Sequence, residues 1–332
     1  MWRNLQSIFT VLVFCLGLRN CELQRHNRKL EDARTINVPS SSFSNIQAAI
    51  DSVPSNNSNW IIIDIKAGIY KEQVKISADR PLIHLKGEVG KTSIVWNASG
   101  SIFDSATFDS LAPNILVTGI TFVNSYNYPL SNGGNPAKPA VAAKISGDKS
   151  ALYDCSFLGY QDTLYDYDGR HYFKNCNITG AVDFIFGNGQ SIYEECTISV
   201  DRGAQGNNFV GYITAQGREN PNVGSGFVFN NCNVIGNAKM YLGRAWRPYA
   251  RVIFYNSFLS DIIVSQGWDS WYNGGDEAKL TFAEEQCRGL GSDKSSRVKW
   301  EKSLSQEELQ SFTSISYIDK EGWMSKLPSH SH

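Results

Sequence analysis

Neither sign of charge dominates this chain of 332 residues: Lys plus Arg is 31 and Asp plus Glu is 32. That balance removes the electrostatic case for nucleic-acid binding. Long apolar runs are almost absent. The exception is "IFTVLVFCLGL" at residues 8–18, just after Arg3. It has the length of the apolar part of an export signal and is short for a membrane span. No CxxC motif or Cys/His spacing suggests zinc. No G-x-S-x-G elbow is present, and only His84 and His171 fall within the main part of the chain. A serine esterase, which needs both a nucleophile elbow and a base, is therefore disfavoured. Few segments carry a helical pattern.

What is present is apolar and aromatic residue, 42% and 12% of the chain. A sizeable core follows, and the aromatics suit carbohydrate stacking as well as packing. The reading divides the chain into an export signal at 1–22, a leader at 23–35, one domain at 36–325 and a loose tail at 326–332. The mature protein is expected to be secreted, soluble and monomeric. Three sequons, at Asn56, Asn97 and Asn177, fit a secreted glycoprotein. Cys155, Cys176, Cys196, Cys232 and Cys287 lie in the domain. They are either small buried hydrophobes or partners in one or two disulfides.

Six segments share one shape: "ILVTGITF" (115–122), "ALYDCSF" (151–157), "YFKNCNI" (172–178), "IYEECTI" (192–198), "FVFNNCNV" (227–234) and "IFYNSFL" (253–259). Apolar and polar residues alternate around a small central residue. These centres are Gly119, Cys155, Cys176, Cys196, Cys232 and Ser257, at steps of 36, 21, 20, 36 and 25 residues. A short strand recurring with turn residues between copies is the mark of a β-solenoid. The fold expected is all-β, a parallel β-helix with short capping helices. "SNIQAAIDSV" (44–53) reads as the cap of the N-terminal end, with Ser44 and Gln47 at capping-box spacing. "SQEELQSF" (305–312) repeats that spacing with Ser305 and Glu308.

In such a solenoid, residues in the same phase stack about 4.8 Å apart. Asp162 lies seven residues after Cys155, and Asp183 seven after Cys176. The two carboxylates therefore share a phase on consecutive coils. Like charges that close cannot both ionise freely, so one becomes a candidate acid and the other a candidate nucleophile or base. Gln161 adds an amide donor suited to an oxyanion. Arg244 offers a fork that matches the charge of Asp183.

Read together, "GYQDTL" (159–164), "DFIFG" (183–187) and "YLGRAW" (241–246) resemble the pectin methylesterases, or pectinesterases. "IKAGIYKEQV" (65–74), "SATF" (105–108), "GITFVNS" (119–125), "ITAQGR" (213–218) and Gly267–Trp268 extend the resemblance over residues 40–325. It implies a right-handed parallel β-helix that removes methyl groups from homogalacturonan in the cell wall, with no cofactor or metal. It implies Asp183 as nucleophile, Asp162 as proton donor and then base, and Gln161 as transition-state stabiliser. Arg244, Trp246, Thr107, Tyr165, Phe186 and Trp268 are implied as substrate-binding positions. A proteinaceous pectinesterase inhibitor is a further implied partner.

One departure stands out. Pro139, in "KPAVAAKISGD" (138–148), occupies the place of a family Gln, and proline brings no side-chain donor and no backbone N–H. An inactive or slow pectin-binding relative is the alternative this raises. A galacturonan hydrolase or lyase would also use a carboxylate pair, but it fits the motif pair less well.

Overall fold

The computed structural model describes residues 34–129 and 136–329. The expected export signal, and the leader up to residue 33, lie outside the described residues. From Arg34 onward the chain winds through three parallel sheets, one of ten strands and two of eight. Each of the eight inner coils places one strand in each sheet, and the first and last add only to the ten-stranded one, so the architecture is the expected right-handed parallel β-helix.

The stacking follows from inward-facing columns. Phe173, Tyr193, Phe229 and Phe254 lie in register on successive strands of the ten-stranded sheet. Their rings stack at 4.6, 4.6 and 4.4 Å. Each such pair adds about 0.5–1.5 kcal/mol beyond its burial. The cysteine ladder is present as well, and all five of its thiols are free. Cys155, Cys176, Cys196 and Cys232 are buried and spend their S–H groups on backbone carbonyls, such as Tyr153 and Tyr193. Gly119 does not belong to that ladder. The register pairs Thr121 with Ser156, which puts Ile120 opposite Cys155 and Gly119 opposite Asp154. Gly119 is at φ +69°, and Asp154, Asn175, Glu195, Asn231 and Asn256 hold φ between 48° and 55°. Each of these coils thus turns on one left-handed residue just before its ladder position, and Gly119 is that corner residue in its own coil.

The two ends close differently. The helix Ile46–Asp51 covers the N-terminal end with Ile46, Ala49 and Ile50 buried. Its cap is Asn45, whose side chain accepts from Ala48 N–H at 2.8 Å, rather than the expected Ser44. Gln47 reaches instead to Asp51 and to the Lys75 carbonyl. At the other end the Phe254 column runs onto Glu284, which is buried and bidentate to Arg297. Val298 and Trp300 pack beside it.

The helix Gln306–Thr313 has the expected Ser305–Glu308 capping box, but it does not cap an end. The outward face of the ten-stranded sheet carries a continuous apolar column: Leu116, Ala151, Tyr172, Ile192, Val228, Ile253 and Ala283. Leu309, Tyr317, Ile318, Trp323 and Leu327 cover that column. Leu327 and Pro328 are therefore buried, and the tail expected to be loose from 326 is docked at its start.

Burial pushes the thiols of Cys155, Cys176 and Cys196 well above their usual range, and that of Cys287 up to about 11. In the folded protein these thiols, with Cys232, should resist a thiol-specific chromogenic reagent near neutral pH. All five should react once the chain is unfolded. Fast labelling of the folded ladder would contradict the packing.

Candidate active site

The site is built on one eight-stranded sheet. Its outward column reads Lys75, Asp109, Lys144, Tyr165, Phe186, Ala215, Arg244 and Asp269, one residue per coil. The two carboxylates sit just ahead of this column, Asp162 in the turn that enters the strand Leu164–Asp166 and Asp183 at the start of the strand Val182–Gly187. Gln161 is bridged to Val182, and the Asp162 N–H donates to the Val182 carbonyl at 3.0 Å. Asp162 and Asp183 are therefore on adjacent coils in the same phase, as the spacing requires.

Both aspartates have left-handed backbone, with φ of 59° and 48°. Aspartate tolerates that region better than most residues. Gly180 explains part of the local geometry: a Cβ there would lie 2.3 Å from the Cβ of Phe184. The turn closes so tightly that only glycine fits. Next to it, the strand Val182–Gly187 carries a bulge. Val182 pairs with Tyr212 and Ile185 with Thr214, so three steps on one strand face two on the other. A bulge re-aims the extra residue's neighbourhood, and here it falls at Asp183.

Arg244 reaches Asp183 across an intervening strand. On that strand the register neighbour of Arg244 is Ala215, whose side chain is a single methyl group. Arg244 Nε donates to Asp183 Oδ1 at 2.8 Å and Nη2 donates to Oδ2. The guanidinium lies 3.6 Å from the Trp271 ring centre and 4.2 Å from that of Tyr212. Both aspartates are close to fully buried, 8% exposed for Asp162 and 7% for Asp183. Burial and the neighbouring Asp183 raise Asp162 to about 8, with Arg244 opposing. Burial raises Asp183 too, while the hydrogen-bonded Arg244 pulls it down. The direct fork decides the assignment: Asp183 carries the charge and Asp162 carries the proton at neutral pH.

The other expected positions divide into two groups. Tyr165 stacks on Phe186 at 4.2 Å, and Trp246 lies 6.5 and 6.1 Å from those two rings. Tyr165, Trp246, Phe103, Tyr167, Glu219 and Arg247 line a cavity of about 550 Å³ beside the pair. Thr107 and Trp268 are not in the groove. Thr107 is 0% exposed, and its hydroxyl donates to the Val123 carbonyl. Trp268 is 1% exposed and stacks on Phe282. Strand alternation explains the correction: Asp269 faces outward beside Arg244, so Trp268 must face the core. The aromatic at the site is Trp271, three residues on. Pro139 offers its carbonyl to Gly100 N–H, and Ala140 N–H donates to the Gln161 carbonyl. Pro139 thus borders the site without adding a donor. Among the described residues no cluster of three or more His, Cys, Asp or Glu is placed to hold a metal ion, and no helix is long and apolar enough to cross a membrane.

A buried carboxylate pair, one member forked by arginine and the other protonated, with Gln161 adjacent in the chain and an aromatic groove alongside, has the chemistry of a carbohydrate esterase on a parallel β-helix. The Pectinesterase family profile matches residues 35–321. An Arabidopsis thaliana protein named probable pectinesterase 29 is 52% identical over 290 residues, 86% of each chain. The solved pectin methylesterase from carrot aligns at TM-score 0.82 with 30% identity, covering 91% of this chain and 98% of that one. That from Aspergillus niger, in deglycosylated form, aligns at 0.74 with 31% identity over 89% and 99%. This chain belongs to the pectinesterase family.

Asp162 has a consequence for stability. Its value is 3.8 when unfolded and about 8 when folded, so the unfolded chain loses its proton first as pH rises. Wild-type stability should fall across that window. Asp162→Asn should melt higher than wild type at neutral pH. The gap should grow toward about pH 8 and vanish near pH 4. A gap that did not change with pH would contradict the raised value.

Proposed function

We propose that this chain demethylesterifies homogalacturonan, acting outside the cell on wall pectin and releasing methanol. The observation that carries the reading is the Arg244 fork on Asp183, stacked one coil from a protonated Asp162. The Asp183 carboxylate attacks the carbonyl carbon of a galacturonate methyl ester. The oxygen that becomes negative is met by the Gln161 amide. Collapse breaks the bond to methoxide, which takes the proton of Asp162 and leaves as methanol. Asp183 is then an acyl-enzyme and Asp162 a carboxylate. Asp162 next takes a proton from water as it adds to the acyl carbon. The acyl bond breaks, the galacturonic acid leaves and Asp183 is restored. Its acid proton passes to solvent, so the cycle balances as ester plus water giving acid plus methanol. Tyr165 and Trp246 suit the sugar ring faces. Monomeric action, and capture of the same groove by an inhibitor protein, belong to this reading. The binder without turnover, raised by Pro139, gains no support from relatives that are themselves named pectinesterases.

Purified mature protein should release methanol from highly methylated pectin, and Asp183→Ala should release none. Gln161→Ala should lose on the order of 10²-fold in kcat. The kcat/KM profile should fall above about pH 8, where Asp162 loses its proton. A folded wild type that releases no methanol at any neutral or mildly acidic pH would overturn the reading.

A further inference from the structure

Arg244 has two carboxylates within its column's reach. Asp183 lies two coils back, and Asp269 is its immediate register neighbour on the next strand. Yet both of its forked bonds go to Asp183. Asp269 is occupied elsewhere: Oδ2 accepts the Tyr212 hydroxyl at 3.0 Å and Oδ1 accepts the Trp271 N–H at 2.7 Å. Those two residues supply the rings on either side of the guanidinium. The stack continues outward, with Tyr241 on Tyr212 at 5.2 Å and Tyr272 on Trp271 at 4.8 Å.

Trp271 holds this place in a costly backbone state. Its φ is +50°, a region that bulky residues avoid. Such strain persists where the surroundings over-determine it. Here the Asp269 bond fixes its N–H, and Asn273 ties the same loop to the Ala245 carbonyl at 2.9 Å. Glycine would meet the backbone demand without strain. What glycine cannot supply is the ring.

We infer that Trp271 is a positioning residue for catalysis: held by Asp269, it clamps the Arg244 guanidinium against Tyr212 so that the fork stays on Asp183. The inference rests on the esterase reading for its kinetic consequences, but its geometry can be tested without turnover. The charged and titratable groups facing Asp183 are Arg244, Asp162 and Asp269, with Tyr212 beyond the guanidinium. Releasing Arg244 removes the one cation among them. Asp183 then holds its proton to higher pH.

The test uses Trp271→Gly and Trp271→Phe in the full mature chain. The glycine variant should melt no lower than wild type, because it relieves φ. Its kcat on methylated pectin should fall by about tenfold to a hundredfold, and the acidic limb of its kcat/KM profile should move to higher pH. The phenylalanine variant keeps a ring face and should stay near wild type on both readouts. A crystal structure of the glycine variant should show Arg244 shared between Asp183 and Asp269. Should glycine not fold, Trp271→Ala takes its place with the same expectations for kcat, the acidic limb and the fork. An unmoved acidic limb, equal loss in the Gly and Phe variants, or an undisturbed fork in the crystal would each overturn the clamp. A wild type without methanol release would count against the esterase reading alone, and the crystal result would still decide the clamp.

Discussion

The ion pair between Arg244 and Asp183 is the interaction on which the site depends. A carboxylate as buried as Asp183 is expensive to keep charged, and most such groups simply take a proton. The fork reverses that outcome for one member of the pair. It thereby creates the other member, because a charged Asp183 one coil away helps keep the proton on Asp162. Two identical side chains acquire opposite roles from one guanidinium. The remaining features of the site serve this pair: the bulge sets the angle, and the aromatic rings hold the cation.

The solenoid makes such an arrangement accessible. Each coil repeats the register of the last, so a residue type placed twice at the same phase is placed side by side in space. That rule assembles the aromatic core stack, the thiol ladder and the aspartate pair alike. It also explains why the partners of the buried ion pair are far apart in sequence yet need no long-range loop to meet. Asp183 and Arg244 are 61 residues apart, but only one strand lies between theirs in the sheet.

How far the sequence discloses this depends on whether a feature repeats. The aspartate pair was legible because the seven-residue offset from Cys155 and Cys176 survives winding intact. Gly119 was placed one residue out of phase because glycine serves equally as a small core residue and as a left-handed corner, and only the register separates the two. The resemblance implies Trp268 in the groove, and the strand that turns it to the core is only two residues long, too short for its alternation to be read from the sequence. Arg244 was reached by asking what charge Asp183 needs, and the family motif supplied the rest. Trp271, Tyr212 and Asp269 were not found. Nothing in "DSWYNGG" repeats elsewhere to mark Asp269 and Trp271, and Tyr212 lies two coils away from them on the strand Val210–Gln216. The covering of the outer apolar face was missed too, because Ser305 and Glu308 specify where a helix begins and not which surface it meets.

Left-handed backbone ties these observations together. Asp154, Asn175, Glu195, Asn231 and Asn256 share it because their coils turn the same corner. Asp162 and Asp183 use the same conformation at a different corner, on the two coils that carry the buried carboxylates. Among short polar residues the added cost is small, so the site borrows a device the scaffold already employs. Trp271 does not fit that description. Indole gains nothing from a left-handed backbone, no neighbouring coil repeats it, and glycine would turn the loop as well. A strained residue that the fold does not need is held for what its side chain touches. Here the side chain touches the guanidinium that keeps Asp183 charged.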